Sequence, residues 1–477
     1  MDEWLEFLTR IGPRVELSLG LIIAVAVTLH VLQRKRDVAA AAAWIGLAWF
    51  APFFGGVTYI VLGINRVSRR AVRLRASSAG RHPHHRGHHG AMTAAEHALA
   101  PLQHGIGRIT GRPLETGNRI ETLHSGDEAY PAMLAAIAAA ERSIGLSSYI
   151  FRADGIGERF IAALAEAQAR GVAVRVIIDG IGGGWLWSGA YHRLRASGIP
   201  AGRFMHSFMP WRMPFLNLRS HKKILVVDGR IGFTGGVNIA DENLLADNPP
   251  DPVEDTHFRI EGAIVGQLVQ AFARDWDFVA GEALEGEAWL PPIGARGPSH
   301  ARVITAGPDE DLEKIEYAVL QAISCARRRI LVMTPYFLPD QRIITALALA
   351  AMRGVAVDIV IPETGDHRVL DWAVRANIHS LLRQGVRLWL CPPPFRHSKL
   401  MVIEEEWALI GSSNWDMRSF RLNFELCIEA YDGALAASLA QLILASRGEP
   451  LTLDKLMARP YLISLRDAAA RLLLPYL

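Results

Sequence analysis

Two long apolar stretches open the chain. Residues 17–32 are apolar apart from Ser, Thr and one His, and residues 38–64 carry no charge. The first is near the lower length limit of a membrane span, whereas the second exceeds the roughly 20 residues that a bilayer core requires. The basic residues 34–36 separate the two stretches. The pattern predicts a hairpin of two membrane-spanning helices within residues 1–65.

The first stretch also has the features of a signal peptide, because a run of alanines follows it. Two features favour a retained anchor: the leader is acidic, with Asp2, Glu3 and Glu6, and the basic residues 34–36 interrupt the apolar pattern. Lys and Arg residues after residue 64 outnumber those between the two stretches, which predicts that the large C-terminal part faces the cytoplasm. We therefore expect a multi-pass protein of the cell inner (cytoplasmic) membrane.

Beyond residue 116 the pattern alternates between helical and strand periods, and it does so twice. The first set comprises helices over residues 130–142 and 159–170 and strands over residues 144–151 and 172–178. The second set comprises helices over residues 312–327 and 343–353 and strands over residues 330–336 and 355–361. Two similar segments, ARGVAVRVIID and MRGVAVDIVIP, support a duplication. This alternation predicts an α/β fold of two domains related by a pseudo-twofold axis, with a site between them.

Segments rich in Pro, Gly and charge mark the expected boundaries. Residues 66–116 are predicted to be a basic linker, whose run HPHHRGHH at residues 82–89 could bind a metal. Neither Cys nor an acid accompanies that run, which favours a solvated tether near anionic headgroups. Pro and Gly cluster over residues 291–298. We therefore expect a first domain over residues 117–293 and a second, with a C-terminal tail, over residues 294–477.

Composition narrows the class of protein. Half of the 477 residues are hydrophobic, and the three cysteines show no metal-ligand spacing, so we expect neither a disulfide framework nor a zinc site. The net charge is only +3. No acid occurs between Asp37 and Glu96, so the basic excess belongs to the segment beside the membrane. The remainder is close to neutral, which argues against a nucleic-acid-binding groove.

One motif occurs twice in the same register: His, one residue, Lys, four residues, an acid, six residues, then Gly-Gly/Ser-x-Asn. The first copy contains His221, Lys223, Asp228 and Asn238, and the second contains His397, Lys399, Glu404 and Asn414. Each copy includes an apolar run that reads as a strand, followed by a turn and a second strand. A hairpin of this kind brings the Asn back beside the His and the Lys.

These residue types suit chemistry on a phosphodiester. Lys223 and Lys399 can neutralise phosphate oxygens, and the two asparagines can donate hydrogen bonds as charge develops. Each histidine can attack phosphorus when it is neutral. No carboxylate cluster for a catalytic metal is apparent, so we expect neither a metal nor a cofactor. Residues 204–216 are either a buried loop or, as we favour, an apolar lip at the mouth of the site.

The doubled motif resembles the phospholipase D superfamily, in which two such HKD motifs build one active site. Within it, the chain is most similar to bacterial cardiolipin synthases, on the two N-terminal stretches and on the segments YIFRADGIG, DTHFRIEG, MTPYFLPD and GSSNWDMRSFRLNFEL. It departs from that family in two places. Glu404 stands where the family usually has Asp, and the histidine-rich linker is not a family feature.

The resemblance implies roles for individual residues. One histidine would form a covalent phosphatidyl-histidine, and the other would act as acid and base. We assign these roles to His221 and His397 respectively, although the symmetry of the motif leaves their order open. Asp255 and Glu425 follow His221 and His397 respectively at similar distances and match positions that orient these histidines, and Ser412 would contact the phosphate with the two asparagines. The acids of the two motifs, Asp228 and Glu404, lie on turns leading away from the histidines, and we expect them to be structural.

The implied activity is transfer of a phosphatidyl group from one phosphatidylglycerol to another, which gives cardiolipin and glycerol. The expected partner is therefore a membrane phospholipid and not a nucleic acid. One alternative is a membrane-anchored phospholipase D hydrolase that releases phosphatidic acid. Another is a non-catalytic membrane scaffold, which is disfavoured because no His or Lys of either motif is missing.

Overall fold

A computed structural model describes residues 2–34, 38–63, 99–206 and 218–472. The chain divides into two compact units, Met1–Arg70 and Ala71–Leu477. The histidine-rich run at residues 82–89 lies outside the described residues. Of the segment that we expected to be a lip, residues 204–216, the part from residue 207 onward also lies outside them.

The N-terminal unit is helical. It consists of α1 (Asp2–Arg34), α2 (Val38–Phe50), α3 (Pro52–Thr58) and a π-helical turn (Tyr59–Gly63). Within the described residues, one segment, Arg14–Arg34, is long and apolar enough to cross a membrane, with a mean hydropathy of 2.2. Its outward face is apolar, since Leu17 and Leu32 are exposed.

The second apolar stretch differs from our expectation, because it is not one continuous helix. The chain bends at Ala51 between α2 and α3. Pro52 explains the bend, because proline lacks an N–H and disfavours the helical conformation of the residue before it. The broken segment nevertheless packs on α1: Trp49 Nε1 donates to Thr28 Oγ1 at 3.0 Å.

The large unit is a mixed sheet flanked by helices, which confirms the α/β class. Its helices are α4 (Ala100–Thr110), α5 (Ser125–Ala138), α6 (Gly155–Ala169), α7 (Gly189–Ala196), α8 (Ile264–Ala280), α9 (Lys314–Cys325), α10 (Gln341–Met352), α11 (Arg368–Asn377), α12 (His379–Arg383), α13 (Met417–Arg421), α14 (Gly433–Ala445), α15 (Leu453–Met457) and α16 (Tyr461–Arg471). Its strands are β1 (Glu115–His124), β2 (Ser143–Ser148), β3 (Ala173–Asp179), β4 (Ala201–Phe204), β5 (Ile224–Val227), β6 (Ile231–Gly235), β7 (Val253–Glu254), β8 (Thr256–Glu261), β9 (Ser299–Ala306), β10 (Arg329–Met333), β11 (Phe337–Leu338), β12 (Ala356–Pro362), β13 (Arg387–Cys391), β14 (Phe395–Arg396), β15 (Leu400–Ile403), β16 (Trp407–Gly411), β17 (Trp415–Asp416), β18 (Glu425–Tyr431) and β19 (Glu449–Leu451).

Fifteen strands of the described residues form one sheet, in the order β19-β13-β12-β10-β15-β16-β18-β9-β1-β8-β6-β5-β2-β3-β4. Apart from β19, the two halves have the same strand order when each is read from its outer edge toward the centre. The order β4-β3-β2-β5-β6-β8-β1 of the first half corresponds to β13-β12-β10-β15-β16-β18-β9 of the second. The parallel pairs β2–β3 and β3–β4 match β10–β12 and β12–β13. The halves meet where β1 pairs with β9, through Glu115 with Ala301 and Asn118 with Ser299. The duplication in the sequence is therefore a pseudo-twofold relation within one continuous sheet.

The repeated strand–helix–strand units form where the periodicity predicts them. Asp154 caps α6 by accepting from Gly157 N at 3.0 Å, and Asp340 caps α10 by accepting from Arg342 N at the same distance. The glycines that follow these helices, Gly171 and Gly354, have φ values of 95° and 88°. A left-handed residue at this position ends a helix, and glycine adopts it without a steric penalty.

The segment that we expected to be a linker, residues 66–116, is partly structured. Its last residues form α4 and the start of β1. Leu102 and Ile106 are fully buried in the same hydrophobic core as residues of α9, in the second half of the unit. Their i, i+4 spacing places them on one helical face. The helix contains Pro101, Gly105 and Gly107, and these poor helix formers concealed its pattern in the sequence.

Candidate active site

The predicted hairpin is present in both halves of the large unit. In the first, β5 and β6 pair so that Ile224 lies opposite Thr234, and in the second, β15 and β16 pair so that Leu400 lies opposite Ile410. The His and Lys of each motif precede the first strand of the hairpin, and the Asn follows the second strand. An antiparallel hairpin brings these two ends together.

The two histidines face each other across one cavity. The ring centroids of His221 and His397 are 6.4 Å apart, with the ring planes nearly perpendicular. The cavity has a volume of about 620 Å³, and both asparagines of the motifs, Asn238 and Asn414, line it with the histidines. This separation leaves room for one phosphorus centre between the rings.

Each histidine is held by a carboxylate from the other half of the unit. Nδ1 of His221 lies 3.1 Å from Oε2 of Glu425 and 2.9 Å from the carbonyl oxygen of Ser412. Nδ1 of His397 lies 2.7 Å from Oδ2 of Asp255. A proton on Nδ1 satisfies these acceptors, which makes Nε2 the ring nitrogen available for reaction. The two acids therefore lie where we expected orienting groups, but their pairing is crossed.

Backbone contacts explain the crossed pairing. The amide of His221 donates to the carbonyl oxygen of Phe424 at 2.9 Å, and the amide of His397 donates to that of Glu254 at 2.7 Å. In both cases the acceptor directly precedes the orienting acid. Each histidine is thus bonded through its backbone to the residue before its orienting acid in the other half, so neither half contains a complete site.

The two acids differ in length, and the residues beside them differ to match. A Cβ atom on Gly236 would lie 2.1 Å from Oδ1 of Asp255, so no side chain fits there. Ser412 occupies the equivalent position in the second half, and its Oγ donates to Glu425 at 2.5 Å. Ser412 is buried and holds the acid, whereas we expected it to contact phosphate. The sequence shows the Gly-to-Ser difference at this turn but not that the hydroxyl faces Glu425, which is 13 residues away in the chain.

The two acids also differ in protonation. Burial alone would raise the pKa of Asp255, but Lys399 and His397 outweigh it and hold this pKa at about 2. Burial raises the pKa of Glu425 to about 7, although Lys223 and hydrogen bonds from Ser412 and Asn423 oppose it. Near neutral pH, His397 therefore has an ionised carboxylate behind it, and His221 has one that is partly protonated.

Burial lowers the pKa of both histidines, but to different degrees. The pKa of His221 falls well below its ordinary value, because burial is reinforced by the positive charges of Lys223 and Lys399. The pKa of His397 is also lowered, by burial and Lys399, but the charge of Asp255 acts in the opposite direction. His221 is thus held neutral, while His397 is the better site for a proton.

The two motif lysines lie beside the histidines. Lys223 Nζ donates to the carbonyl oxygen of His221 at 3.0 Å, and Lys399 Nζ donates to that of His397. Burial lowers the pKa of Lys223 to about 7 and that of Lys399 to about 8. The neighbouring Lys222 points to the opposite face of the strand, where its Nζ lies 2.9 Å from Oδ2 of Asp275. Because successive side chains alternate between the two faces of an extended chain, Lys223 lies at the site and Lys222 forms a structural ion pair.

The acids of the two motifs lie at the far ends of the hairpins, outside the cavity lining. The carboxylate of Asp228 accepts from the amides of residues 141–143 at 2.7–3.0 Å. The carboxylate of Glu404 accepts from the amides of residues 327–329 at 2.8–3.2 Å and from Arg328 Nε at 2.8 Å. Both acids tie the turn of their hairpin to the start of the neighbouring strand, β2 for Asp228 and β10 for Glu404. This position supports a structural role.

We expect Glu404→Gln to lower the free energy of unfolding by about 1–2 kcal/mol, since one charged acceptor of several hydrogen bonds is replaced by a neutral one. Its specific activity per folded molecule should stay close to that of the parent. Glu404→Asp should be nearly neutral, because Asp228 makes the same three backbone contacts in the first half. Thermal unfolding and activity assays on the same samples measure both effects. Glu405→Gln, which removes only a surface contact to Arg329 at 3.1 Å, is the matched control.

Several residues of the cavity were not singled out from the sequence. Tyr149 and Tyr336 follow β2 and β10, and their rings lie 4.9 Å from His221 and 6.3 Å from His397. Arg219 and Arg418 also line the cavity. Both tyrosines belong to the segments YIFRADGIG and MTPYFLPD, which were noted for their likeness to a family. The available signal was their position at the carboxyl ends of parallel strands, where sites form in α/β folds.

Comparison with known families agrees with this geometry. The family described as "Cardiolipin synthase, PLD-like domain" matches residues 133–276 and 319–445, which together make up more than half of the chain. The chain belongs to this family. A second family, described as "Phospholipase_D-nuclease N-terminal", matches residues 22–63. The matches therefore cover both halves of the large unit and the apolar N-terminal region.

Individual relatives extend the match over nearly the whole chain. The "Cardiolipin synthase" of Geobacillus thermodenitrificans (strain NG80-2) is 33% identical, over 96% of this chain and 92% of the relative. The "Major cardiolipin synthase ClsA" of Bacillus subtilis (strain 168) is 29% identical, over 97% and 98%. Among solved structures, the phosphatidylserine synthase of Haemophilus influenzae Rd KW20 matches with a TM-score of 0.60 and 14% identity, over 81% of this chain and 100% of that one. The structural match supports the fold of this phospholipase D-like family member.

Proposed function

We propose that the protein is a cardiolipin synthase, a phosphatidyltransferase that moves a phosphatidyl group from one phosphatidylglycerol to another and releases glycerol. The observation that carries this proposal is the pair of histidines 6.4 Å apart across one cavity, each with a carboxylate behind it. The full-length relatives named as cardiolipin synthases support the choice of reaction. The N-terminal apolar helix supports access to a lipid substrate.

The difference between the two histidines supports an order of events. His221, which is held neutral, is the nucleophile: its Nε2 attacks phosphorus while Nε2 of His397 gives a proton to the departing glycerol oxygen. The ionised Asp255 stabilises His397 in its protonated form before this step. In the second step, His397 takes the proton of the acceptor hydroxyl, whose oxygen attacks phosphorus. The P–N bond to His221 breaks and its electron pair returns to the ring.

The remaining residues of the motifs neutralise the phosphoryl group in this proposal. Lys223 and Lys399 balance the charge of its oxygens, and Asn238 and Asn414 donate hydrogen bonds as further charge develops. Support comes from Asn238, whose Oδ1 accepts from the amide of Ile150 at 3.3 Å, so that its NH2 group is the donor left for the cavity that the side chain lines. The acids of the motifs take no part in the chemistry.

Lys223 should limit activity at alkaline pH. A lysine binds phosphate when protonated, so a pKa of about 7 in the free enzyme means that the binding form is lost as the pH rises through that value. We expect kcat/KM for phosphatidylglycerol, which already declines as His397 loses the proton that it donates, to show a second and steeper fall with a midpoint at about pH 7 to 8 as Lys223 deprotonates. The midpoint for kcat should be higher, because bound phosphate retains the proton. In Lys223→Arg, the decline of the remaining kcat/KM should move toward the pKa of Lys399, about 8. An unchanged midpoint in that variant would assign the titration to another group.

The location and the division of the chain follow the same proposal. We propose that both N-terminal apolar segments cross the cell inner membrane and that the catalytic unit lies on its cytoplasmic side. Association with the membrane is supported by the apolar faces of the N-terminal helices and by the family match there. We further propose that residues 117–293 and 294–477 are the two phospholipase D-like domains, after a linker at residues 66–116. Their continuous sheet makes them one folded unit.

The product spectrum tests the proposed reaction. Purified full-length protein in vesicles of phosphatidylglycerol should convert two molecules of this lipid into cardiolipin and glycerol, in equal amounts, as measured by mass spectrometry. Added glycerol should suppress net synthesis, because it competes for the phosphatidyl-enzyme. Phosphatidic acid as the main product would instead identify a hydrolase. No turnover under any of these conditions would support a scaffold.

A further inference from the structure

The cavity is not symmetric, although the two halves of the sheet are. The second half contributes the loop after β12 and the first turn of α11 to the cavity wall, through residues 366–370. The equivalent loop after β3 does not line the cavity within the described residues. Arg203 holds it away, since its guanidinium donates to the carbonyl oxygens of Gly180 and Trp185 at 2.9 and 3.2 Å. One side of the site therefore carries charged groups that have no counterpart across the pseudo-twofold axis.

The additional loop is linked to His397 through a tyrosine. The ring of Tyr336 lies 6.3 Å from that of His397, and its hydroxyl donates to the carboxylate of Asp366 with 2.7 Å to either oxygen. The ring of His367 stacks on Tyr336 at 6.4 Å. Burial and the charge of Asp366 hold the pKa of Tyr336 well above its ordinary value, so the hydroxyl stays a donor. Tyr336 thus lies between the carboxylate of Asp366 and His397, the proposed acid and base.

The loop is held in place by a residue of the helix that follows it. Oδ2 of Asp371 accepts from Gly365 N at 3.1 Å, and a Cβ atom on Gly365 would lie 2.6 Å from Oδ1. This contact fixes the backbone next to Asp366 and aims residues 366–370 at the cavity. Asp366 itself is 43% exposed, as suits a group at the rim of a cavity that a lipid headgroup enters.

An acceptor phosphatidylglycerol makes demands that water does not. It must bring one glycerol hydroxyl to His397, while a second hydroxyl and its own phosphate lie a few bonds away. A carboxylate accepts hydrogen bonds from hydroxyls, and an arginine fork matches the oxygens of a phosphate. Asp366 lies on this loop, and Arg368, two residues later, is the first residue of α11. Val369 and Leu370 add apolar surface to the same wall.

We propose that Tyr336, Asp366 and Arg368 form the binding site for the acceptor lipid, in which Asp366 binds the glycerol hydroxyls and Arg368 binds the phosphate of the acceptor. This inference rests on the proposed transfer to a second phosphatidylglycerol. In the step that it serves, the acceptor oxygen forms its bond to phosphorus as the bond from phosphorus to His221 breaks, and the hydroxyl proton passes to Nε2 of His397. Tyr336 and Asp366 position the hydroxyl, and Arg368 selects an acceptor that carries a phosphate.

The test compares two acceptors of the same phosphatidyl-enzyme. Full-length protein in phosphatidylglycerol vesicles is supplied with isotope-labelled glycerol, and cardiolipin formation and label exchange into phosphatidylglycerol are measured together. Free glycerol has no phosphate, so Arg368→Gln should reduce cardiolipin formation at least about tenfold more than exchange, the effect of losing a charged hydrogen-bond partner. The amount of phosphatidic acid formed by this variant should rise, because water then hydrolyses more of the phosphatidyl-enzyme. Asp366→Asn should lower both reactions, since both acceptors are glycerols.

Two further variants complete the design. Arg368→Lys keeps the charge but not the fork and should give an intermediate product ratio. Arg383→Gln removes an exposed arginine of α12, outside the cavity lining, and should leave both reactions unchanged. If the parent makes cardiolipin but Arg368→Gln keeps the parent ratio, or loses both reactions equally, the acceptor site is wrong and the proposed function stands. If the parent itself makes no cardiolipin, the proposed function fails first.

Discussion

His221→Ala is expected to abolish the covalent phosphatidyl-enzyme and to reduce turnover on the order of 10⁴-fold or more, because it removes the proposed nucleophile. The fold should persist, since the backbone bond from the amide of residue 221 to the carbonyl oxygen of Phe424 at 2.9 Å does not depend on the ring. Rapid acid quenching of enzyme mixed with labelled phosphatidylglycerol, followed by mass spectrometry of the denatured protein, measures the intermediate directly.

His397→Ala provides the matched comparison. With phosphatidylglycerol it should also be nearly inactive, because the departing glycerol oxygen needs a proton. A phosphatidyl ester of p-nitrophenol removes that need, since the phenolate departs without protonation. With this substrate His397→Ala should form the phosphatidyl-enzyme and accumulate it, while His221→Ala should form none. Accumulation in His221→Ala and not in His397→Ala would reverse the order of the two histidines.

Replacing the two orienting acids should have unequal effects. Asp255→Asn removes an ionised carboxylate behind His397 and should reduce turnover on the order of 10³- to 10⁴-fold, as loss of the acid does in comparable triads. Glu425→Gln should cost about 10- to 100-fold, because a carboxyl with a pKa of about 7 is partly neutral already. Steady-state kinetics at pH 7 measure both.

The leaving group distinguishes the roles of these acids further. Asp255 acts through the acid, so the loss in Asp255→Asn should shrink when p-nitrophenol replaces glycerol as the leaving group. Glu425 acts through the nucleophile, so the loss in Glu425→Gln should be similar with both substrates. Melting temperatures control for folding, since both side chains are fully buried. Equal losses in the two variants, with equal dependence on the leaving group, would contradict the difference in protonation described here.

Local patterns were sufficient to predict much of this protein from its sequence. The strands β3 and β12, the helices before them and the glycines at 171 and 354 follow from short-range periodicity and from the conformational freedom of glycine. Both hairpins follow from the apolar runs and turns of the repeated motif. Matching registers of that motif also indicated that the two histidines act together. These features depend on residues close in the chain, whose interactions the sequence displays directly.

Contacts between residues that are distant in the chain could not be predicted from local patterns. The backbone bonds from His221 to Phe424 and from His397 to Glu254 cross between the halves, and they decide which acid serves which histidine. Ser412 serves Glu425 because packing turns its hydroxyl away from the cavity. Burial and neighbouring charges, which depend on the whole fold, separate the pKa values of the two acids. The sequence by itself determined the motifs and the repeated strand and helix units, because these rest on local physics. Only the tertiary structure decided which acid pairs with which histidine and how the two acids differ in charge, because both properties arise where two distant segments meet in a buried space.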